Sequence, residues 1–309
     1  MTDEKIVFVT GGTGFIGRHA VHALLRNGYE VHIASRSYKG PFAPSPRMRI
    51  HECDLFDSDY VSRILQMIQP THLLHLAWET THGEFWNSLN NVQWVEASLG
   101  LLRGFSAYGG QRAVFAGSCA EYGESAEICD EVATPLRPTS LYGVSKNALQ
   151  QVIAEYTRTT GLSTAWGRLF HIYGPGEPEQ RFVPSTVKAL LADKSAICRH
   201  GTHVRDYLHV HDAAEALVTL LESDVTGPVN VASGLPVTLE EIATRLVAVV
   251  GHGNATIEIG EPSADNPSEI SAVTERLSKE VAWEPSITLD EGLRSVVNTL
   301  RLHRQSRAA

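Results

Sequence analysis

The sequence predicts an α/β protein built on a doubly wound parallel sheet of the Rossmann type, followed by a smaller α/β part. Short apolar strands alternate with helical segments six times up to residue 170, a pattern typical of parallel sheets. A glycine-rich turn joins the first strand to the first helix, where such sheets bind phosphate groups. The 309 residues are 43% hydrophobic and 20% charged, as expected of a folded globular chain.

Charge and cysteine usage argue against several function classes. The formal net charge is −9, so we expect no binding to nucleic acid, which requires a basic surface. The four cysteines Cys53, Cys119, Cys129 and Cys198 form no CxxC pair, which argues against a zinc site or a disulfide framework. The sequence contains neither a signal peptide nor a long apolar run, so we expect a cytoplasmic protein with no membrane partner.

The turn GGTGFIG (11–17) predicts a dinucleotide site. It follows the apolar strand KIVFVT (5–10) and opens a helical segment that ends near Gly28, the context that a dinucleotide fingerprint requires. Gly11 allows the tight turn, Gly14 lets backbone amides approach a pyrophosphate, and Gly17 lets the helix pack closely on the strand. Phe15 and Ile16 complete the turn. A plain tight turn is the alternative.

The end of the second predicted strand, YEVHIASR (29–36), indicates which cofactor the turn binds. An NAD site usually carries an acidic residue here for the ribose 2′-hydroxyl, but this strand ends in Ala34, Ser35 and Arg36. Arg36 could instead pair with a 2′-phosphate, and Arg18 is a second candidate for that role. We therefore expect NADP(H), with NAD(H) left open. The alternative for Arg36 is a solvated loop residue.

Two more strand ends are predicted to line the cofactor. Asp54 and Leu55 end the strand MRIHECDL (48–55), where Asp54 could accept from the adenine amino group or cap the following helix. Leu76 and Ala77 end the strand THLLHLAW (71–78), which should pass under the cofactor.

Residues Ser118, Tyr142 and Lys146 form the predicted catalytic set. Ser118 ends the strand RAVFAGS (112–118), and YGVSK (142–146) lies at the start of a predicted helix, so both face the crevice beyond the strand ends. Tyr142 and Lys146 are four residues apart and share a helical face. A free tyrosine has a pKa of about 10, and a lysine ammonium together with a positive nicotinamide would lower it. Tyr142 could then exchange a proton with a carbonyl or alcohol oxygen held by Ser118.

We expect a dinucleotide-binding domain over residues 1–173 and a smaller substrate domain over residues 174–309, interleaved with the last sheet elements. After about residue 174 the regular alternation ends, and the last seven residues are expected to fray. The predicted helices are 57–68, 90–108, 141–160, 183–192, 211–223, 239–250 and 289–302.

A series of motifs resembles the extended short-chain dehydrogenase/reductase family, in its NAD-dependent epimerase/dehydratase branch that acts on nucleotide sugars. In chain order these motifs are TGGTGFIG, HLAW, GSCAEYG, YGVSK, RLFHIYGPGE, RDYLHVHDAAEA and VNVASG. They cover nearly the whole chain. The resemblance implies an enzyme with a nicotinamide cofactor and a nucleotide-sugar substrate, and a homodimer formed through the helices at 90–108 and 141–160.

The resemblance also implies roles for individual residues. Ser118 is four places before Tyr122, where the family has a catalytic serine or threonine. Arg205 of RDYLHV corresponds to the arginine that binds the sugar-nucleotide diphosphate, although a local ion pair with Asp206 is the alternative. Pro184, followed by Ser185, lies where the family lines its nucleotide pocket.

Three positions depart from the family pattern. His171 stands where an asparagine is common, and its neutral imidazole could bind a sugar hydroxyl or move a proton. Cys119 is a catalytic candidate because a nearby cysteine is an acid/base in the 3,5-epimerizing reductases, but its position is out of step, and a small packing residue is the alternative. Trp78 and Trp86 could stack on the sugar, or could simply pack, as could Trp94 in the following helix.

The departures favour one reaction over the others. Dehydratases of the family carry Asp-Glu after the catalytic residue, whereas this chain has Cys119 and Ala120, with Glu121 nearby. The first hypothesis is therefore the reduction of a 4-keto-6-deoxyhexose, linked to a nucleotide, with Tyr142 as the acid. A 4-epimerase with tightly held NAD is the alternative, followed by a dehydratase with a non-standard acid/base. A non-catalytic cofactor-sensing regulator is a remote fourth.

Overall fold

The computed structural model describes residues 5–37, 42–123, 127–251, 256–260 and 269–308, with the side chains of 307 and 308 left aside. In chain order the strands are β1 (Ile6–Thr10), β2 (Glu30–Ser35), β3 (Met48–Glu52), β4 (His72–His75), β5 (Arg112–Ser118), β6 (Ile128–Cys129), β7 (Ser163–Leu169), β8 (His171–Tyr173), β9 (Ala196–Cys198), β10 (Val204–His209), β11 (Gly227–Val231), β12 (Pro236–Thr238), β13 (Ile257–Ile259) and β14 (Glu269–Ala272). The helices are α1 (Gly17–Arg26), α2 (Ser58–Ile68), α3 (Asn90–Ala107), α4 (Leu141–Thr160), α5 (Phe182–Leu191), α6 (Val210–Glu222), α7 (Leu239–Val250) and α8 (Leu289–Ala308).

A seven-stranded sheet, in which every pairing is parallel, forms the centre of the fold. Its strand order is β11-β7-β5-β4-β1-β2-β3. Helices α1 and α6 pack on one face, and α2, α3 and α4 pack on the other. This is the predicted doubly wound Rossmann-like fold, which is confirmed.

The central strands form because both faces of each are covered. In β1, Val7, Phe8 and Val9 are fully buried, with alternate side chains entering the clusters on opposite faces of the sheet. Each such side chain contributes about 1.5–3 kcal/mol on burial. Helix α1 completes the unit by burying Ala20, Val21 and Leu24 on the face toward β1. This packing fixes the glycine turn between strand and helix.

The chain after residue 174 builds a second, smaller region and also returns to the main sheet. Strands β12, β10, β14 and β6 pair in that order, and β8 pairs with β10. Helices α5, α7 and α8 share a separate apolar cluster. However, β11 pairs with β7 at the edge of the main sheet, and α6 packs against α1. The division at residues 173 and 174 remains a prediction.

The structure also contains elements that the sequence did not predict. Strand β11 overlaps the first three residues of the quoted motif VNVASG, and the strands β8, β9, β12 and β13 have three residues each. Helix α8 continues to Ala308, so the expectation of frayed final residues is wrong up to that position. In the part of the chain that is described, no helix combines the length and apolar character needed to cross a bilayer.

Candidate active site

The glycine turn has the geometry that a dinucleotide requires. Gly11 has φ of +69°, and an added Cβ there would lie 2.7 Å from the backbone nitrogen of Ala77. A Cβ on Gly17 would lie 2.0 Å from the carbonyl oxygen of Gly11, so only glycine lets α1 start this close to β1. Gly14 is exposed, and its N–H donates to the Gly11 carbonyl over 3.0 Å. Phe15 and Ile16 pack against the core below the turn.

A hydrogen-bonded histidine fixes the segment after β4 beside this turn. Thr10 Oγ1 lies 2.6 Å from His75 Nδ1, and His75 Nε2 lies 2.9 Å from Ser98 Oγ. Ser98 donates its own proton to the Trp94 carbonyl over 2.7 Å, so it accepts from His75. Burial lowers the pKa of His75 to about 3, and the ring is neutral. The N–H of Ala77 then donates to Thr10 Oγ1, which holds Leu76 and Ala77 against the glycine turn.

The other predicted cofactor residues lie at the same edge of the sheet. Arg36 is exposed just beyond β2, and Leu55 is buried below the exposed Asp54. Asp54 is not the helix cap: its carboxylate accepts from the N–H of Phe56, and Asp57 caps α2. Its proposed contact with adenine is untested.

Arg18 has a structural role that makes it a poor candidate for a 2′-phosphate. Its guanidinium donates to the carbonyl oxygens of Gly14 and Gly176, over 3.3 and 3.1 Å. It thereby ties the glycine turn to the loop after β8. Arg36 is left as the candidate for the ribose end.

A dinucleotide fits these residues. The first turn of α1 has no side-chain cap, so no side chain of the protein neutralises the positive end of the helix dipole, which can attract a pyrophosphate. The turn itself is closed to any side chain larger than hydrogen at Gly11 and Gly17. These two features are what a bound pyrophosphate needs from a protein.

Ser118 is held at the end of β5 by a buried ion pair. It caps the short turn Cys119–Glu121, and its N–H donates to Glu121 Oε1 over 2.8 Å. Glu121 Oε2 accepts from Arg168 Nε over 2.8 Å, and both side chains are buried. Trp166 Nε1 also donates to this carboxylate, at 2.9 Å from Oε1. All hydrogen-bonding capacity of Glu121 is therefore directed to the protein interior, away from a ligand.

Helix α4 brings Tyr142 to Ser118. Ser140 caps the helix by accepting from the N–H of Gly143 over 3.1 Å. A Cβ on Gly143 would lie 2.6 Å from the carbonyl oxygen of Ala120, so glycine permits the close approach of α4 to the Ser118 turn. Tyr142 is buried and hydrogen bonded to Ser118. The predicted meeting of these two hydroxyl groups is present in the structure.

Lys146 lies one helical turn further along and is also buried. Its Nζ donates to the Ala116 carbonyl over 2.7 Å and lies 3.8 Å from the centre of the Trp78 ring. Burial lowers the pKa of Lys146 to about 7, against a smaller opposing effect of Glu121. The ammonium is thus held by a carbonyl and an aromatic face rather than by a carboxylate.

Burial has an effect on the Tyr142 pKa that the sequence did not predict. Burial raises this pKa above its ordinary value, and the hydrogen bond from Ser118 opposes the rise only in part. The physical reason is an aromatic wall, formed by Trp78, Phe85 and Trp86, whose ring centres lie 6.2, 4.9 and 5.8 Å from that of Tyr142. Tyr142 therefore keeps its proton at neutral pH.

The aromatic wall includes a residue that the sequence did not single out. Phe85 is buried in a short turn between β4 and α3. Trp78 donates its Nε1–H to Asn91 over 2.8 Å and stacks on Trp94 at 5.9 Å, so its indole is fixed above Lys146. Trp86 is 45% exposed and offers the open face of the wall.

Three residues that were predicted to bind the substrate lie in β8, β10 and α5. His171, in β8, has a buried Nδ1 without a hydrogen-bond partner in the described part of the chain. Burial, followed by Arg205 and Arg181, lowers the pKa of His171 to about 3, so the imidazole is neutral, as predicted. Arg205 is buried in β10 and donates to the Val204 carbonyl over 2.8 Å. Pro184 is buried in the first turn of α5.

Asp206 does not pair with Arg205, which answers the alternative raised for Arg205. The carboxylate of Asp206 instead accepts from Ser233 and Gly234, with distances of 2.7 to 2.9 Å. Arg205 Nη2 lies 3.2 Å from His203 Nδ1, so the described partners of the guanidinium are this ring and the Val204 carbonyl rather than a carboxylate.

Cys119 is a packing residue in this geometry. Its free thiol lies against the cluster of Tyr122, Cys129 and Phe170. Burial raises the pKa of Cys119 to about 12, and Arg205 opposes the rise. A thiol with that pKa does not exchange protons readily near neutral pH. The structure favours the packing alternative, and a catalytic role is not tested.

Two further polar residues border this region, although the sequence analysis assigned them no role. Arg181 precedes α5 and acts on the pKa of both Tyr142 and His171. Glu177, the last residue of the quoted motif RLFHIYGPGE, is buried in the loop after β8. Its neighbour Tyr207 in β10 is distant in the chain, so the motif alone did not reveal that the side chain is buried.

Comparison with known proteins assigns the family. The profile of the NAD dependent epimerase/dehydratase family matches residues 7–232. The chain belongs to this family. It is 28% identical to UDP-glucose 4-epimerase of Corynebacterium glutamicum over 94% of this chain and 93% of that protein. It is 27% identical to UDP-glucuronic acid decarboxylase 1 of Arabidopsis thaliana, over 96% of this chain and 69% of that protein.

Solved structures of the same family superpose over nearly the whole chain. UDP-glucose 4-epimerase of Thermus thermophilus, in complex with NAD, has a TM-score of 0.82 and 28% identity, covering 96% and 99% of the two chains. DesIV of Streptomyces venezuelae, a dTDP-glucose 4,6-dehydratase with bound NAD, has a TM-score of 0.85 and 25% identity, covering 97% and 98%. The chain is therefore an enzyme of the extended short-chain dehydrogenase/reductase type, as predicted.

Proposed function

We propose that this protein reduces a 4-keto-6-deoxyhexose that is linked to a nucleoside diphosphate. The observation that carries the proposal is the meeting of Tyr142, Ser118 and Lys146 at the ends of β5 and α4. Beside them, the nearest carboxylate, Glu121, is committed to Arg168 and Trp166. The site thus offers an acid and an orienting hydroxyl without a free carboxylate next to Ser118.

The protonation state of Tyr142 is compatible with reduction. Reduction of a ketone requires a proton donor at its oxygen, whereas oxidation of an alcohol requires a base. Burial raises the pKa of Tyr142, so the residue carries a proton near neutral pH, as a donor must. Ser118 would hold the C4 oxygen by a hydrogen bond, and Tyr142 would transfer its proton to that oxygen. The nicotinamide supplies the hydride when it is bound.

Lys146 would act on Tyr142 through charge. When protonated, its ammonium stabilises the tyrosinate that remains after proton transfer. The carbonyl of Ala116 and the ring of Trp78 hold it one helical turn from Tyr142.

Dehydration has less support from this geometry. Residues 119 and 120 are Cys and Ala, so the carboxylates of the family dehydratases are missing. Glu121 cannot replace them without leaving a buried arginine unpaired, which would be costly.

The second candidate is a nucleotide-sugar 4-epimerase that keeps NAD bound and returns the hydride to the same sugar. Its support is the 28% identity, over nearly full length, to the C. glutamicum epimerase and to the NAD-bound T. thermophilus epimerase. A non-catalytic regulator is the least supported, because such a role would not need Tyr142 and Lys146 together.

We propose that the cofactor is NADP(H), although the relatives named above are complexes with NAD. The proposal rests on exposed Arg36 at the end of β2, where no carboxylate stands. We expect Arg36→Ala to weaken NADPH binding at least tenfold and to leave NADH binding within about twofold. Equal losses for the two cofactors, measured by fluorescence titration, would contradict the 2′-phosphate role.

The homodimer is also a proposal. Helices α3 and α4 lie side by side, and Val92, Val144 and Val152 are exposed on them. Exposed apolar side chains on adjacent helices are suited to a second copy. Sedimentation equilibrium should give twice the chain mass of 33.8 kDa, and a Val152→Glu variant should shift it toward the monomer.

The proposed reaction is tested by following the near-ultraviolet band of the reduced cofactor. Purified protein is mixed with NADPH or NADH and with dTDP- or UDP-linked 4-keto-6-deoxyglucose. We expect steady oxidation with wild type, at least a 100-fold loss with Tyr142→Phe, and no loss with the control Tyr156→Phe on the same helix. No oxidation, combined with NAD released on denaturation, would favour the epimerase.

A further inference from the structure

Glu177 is a buried carboxyl group beside the proposed substrate site. It is 8% exposed, and its Oε2 has no hydrogen-bond partner within the described part of the chain. The loop that carries Glu177 turns at Gly174 and Gly176, which have φ of +149° and +84°. The N–H of Glu177 donates to the Gly174 carbonyl over 3.2 Å. Arg18 donates to the Gly176 carbonyl. These hydrogen bonds anchor the loop, and the anchored loop keeps the carboxyl group of Glu177 buried.

The groups around Glu177 come from four elements. Tyr173 of β8 and Tyr207 of β10 lie with ring centres 5.9 Å apart, and Glu177 raises the pKa of both. Arg181, before α5, is the cation that acts on Glu177. The remaining charged or titratable neighbours of the loop are Arg18 against Gly176, His209 against Gly174, and His171 beyond Tyr207.

A second buried polar atom without a partner lies across Tyr207. The pairing of β8 with β10 sets His171 opposite Tyr207, with ring centres 5.5 Å apart. The Nδ1 of His171 has no hydrogen-bond partner among the described residues. Buried polar atoms are normally paired, so these two atoms are open to hydrogen bonds with a polar ligand.

Arg181 connects this pair to the reaction site. It acts on the pKa of Glu177, of His171 and of Tyr142. A single cation therefore acts on both the pair and Tyr142, which supports placing all of them around one bound sugar.

We propose that Glu177 and His171 bind ring oxygens of the hexose, with the Glu177 carboxyl as hydrogen-bond donor, and that they select sugars carrying oxygen at those positions. This inference rests on the proposed function, since it assumes a nucleotide-linked hexose in the site. It adds Glu177, to which the sequence analysis assigned no role, as a determinant of sugar specificity.

The donor role follows from the state of the carboxyl. Burial raises the pKa of Glu177 to about 8, with Arg181 and the Gly174 hydrogen bond opposing the rise. Below that pH the group is neutral and carries a proton to donate. Above it the proton is lost, so binding of the hexose should weaken as pH rises, whereas a glutamine would donate at every pH.

Calorimetry can measure how much the hexose contributes to the binding affinity, apart from the nucleotide. UDP-glucose is compared with UDP, and dTDP-glucose with dTDP, on wild type, Glu177→Leu, Glu177→Gln and the control Glu179→Gln. Glu179 lies in the same loop but is exposed and paired with Lys188. We expect Glu177→Leu to weaken the affinity for the sugar nucleotide at least tenfold and to leave the affinity for the free nucleotide within twofold of wild type. The control should behave as wild type.

The pH series keeps the test informative if the leucine variant does not fold. Wild type should lose about tenfold in affinity for the sugar nucleotide between pH 7 and 9.5, and Glu177→Gln should lose less than twofold. Parallel pH curves for wild type and Glu177→Gln, or an unchanged affinity in Glu177→Leu, would overturn the inference. Sugar-nucleotide binding with the expected losses, but without NADPH oxidation, would contradict only the proposed reductase. Failure of wild type to bind either sugar nucleotide would overturn both proposals.

Discussion

Replacing Arg168 by methionine tests how Ser118 is held. Arg168 is 1% exposed and donates to Glu121 over 2.8 Å and to the Tyr122 hydroxyl over 3.1 Å. Glu121 is fully buried, and it accepts the N–H of Ser118 over 2.8 Å. Arg168→Met leaves the carboxylate of Glu121 buried without its cation.

The loss in the free energy of unfolding that Arg168→Met should cause follows from this geometry. Removing one partner of a buried ion pair destabilises a protein by about 3–5 kcal/mol, because the remaining charge is uncompensated. The variant Glu121→Leu/Arg168→Met removes both charges, and replacing a buried pair by apolar groups is often nearly neutral. We therefore expect the double variant to be more stable than Arg168→Met alone.

Urea unfolding measures these differences. A double-mutant cycle needs wild type, Arg168→Met, Glu121→Leu and the double variant. The matched control is Arg158→Met, which breaks an ion pair with Glu155 that is exposed on both sides, and should leave the midpoint unchanged. A change of less than about 1 kcal/mol in Arg168→Met would refute the reasoning, since the full penalty of a buried charge is larger. A double variant no more stable than Arg168→Met would also refute it.

Three further outcomes are expected. Gly17→Ala should abolish binding of NADPH and of NADH, because its Cβ would lie 2.0 Å from the Gly11 carbonyl oxygen. Gly100→Ala is the control, because the atom nearest to its added Cβ is 3.8 Å away, and in a fluorescence titration it should bind both cofactors as wild type does. Equal cofactor binding by Gly17→Ala and Gly100→Ala would contradict the prediction. Ser118→Ala should lower kcat about 100-fold with little change in cofactor affinity, and an unchanged kcat would remove Ser118 from the mechanism. Because Glu177 has a raised pKa of about 8, its neutral form stabilises the fold at low pH, and this stability is lost as pH rises from the unfolded value to the folded value. The thermal stability of Glu177→Gln relative to wild type should therefore increase from pH 4.5 to pH 8, by about 1.4 kcal/mol per unit, and a flat difference would contradict the burial of this group.

The sequence was sufficient for the main sheet because its strands are buried on both faces. Strands such as β1 and β5 are short apolar runs with clear ends, and parallel strands leave this signature. The three-residue strands carry too few side chains to show any period. Strand β11 begins with Gly227 and Pro228, which locally resemble a turn, and its partner β7 is about 60 residues away.

The position of the candidate catalytic set could be predicted because its residues follow strand ends and helix starts. Ser118 and Tyr142 meet where the topology of the sheet requires it. The pKa of Tyr142 could not be predicted, because its burial depends on Phe85 and Trp86, which come from a different loop. The role of Glu121 could not be predicted from the sequence either, because its partner Arg168 is 47 residues away.

Isotope transfer tests the central claim most directly. The protein is incubated with NADPH deuterated at the transferable C4 position and with the 4-keto sugar nucleotide, and the product is analysed by mass spectrometry and proton NMR. We expect one deuterium at C4 of the hexose with wild type, and no product with Tyr142→Phe. Conversion of a sugar nucleotide without incorporation of deuterium would contradict the reductase and indicate a hydride retained within the site.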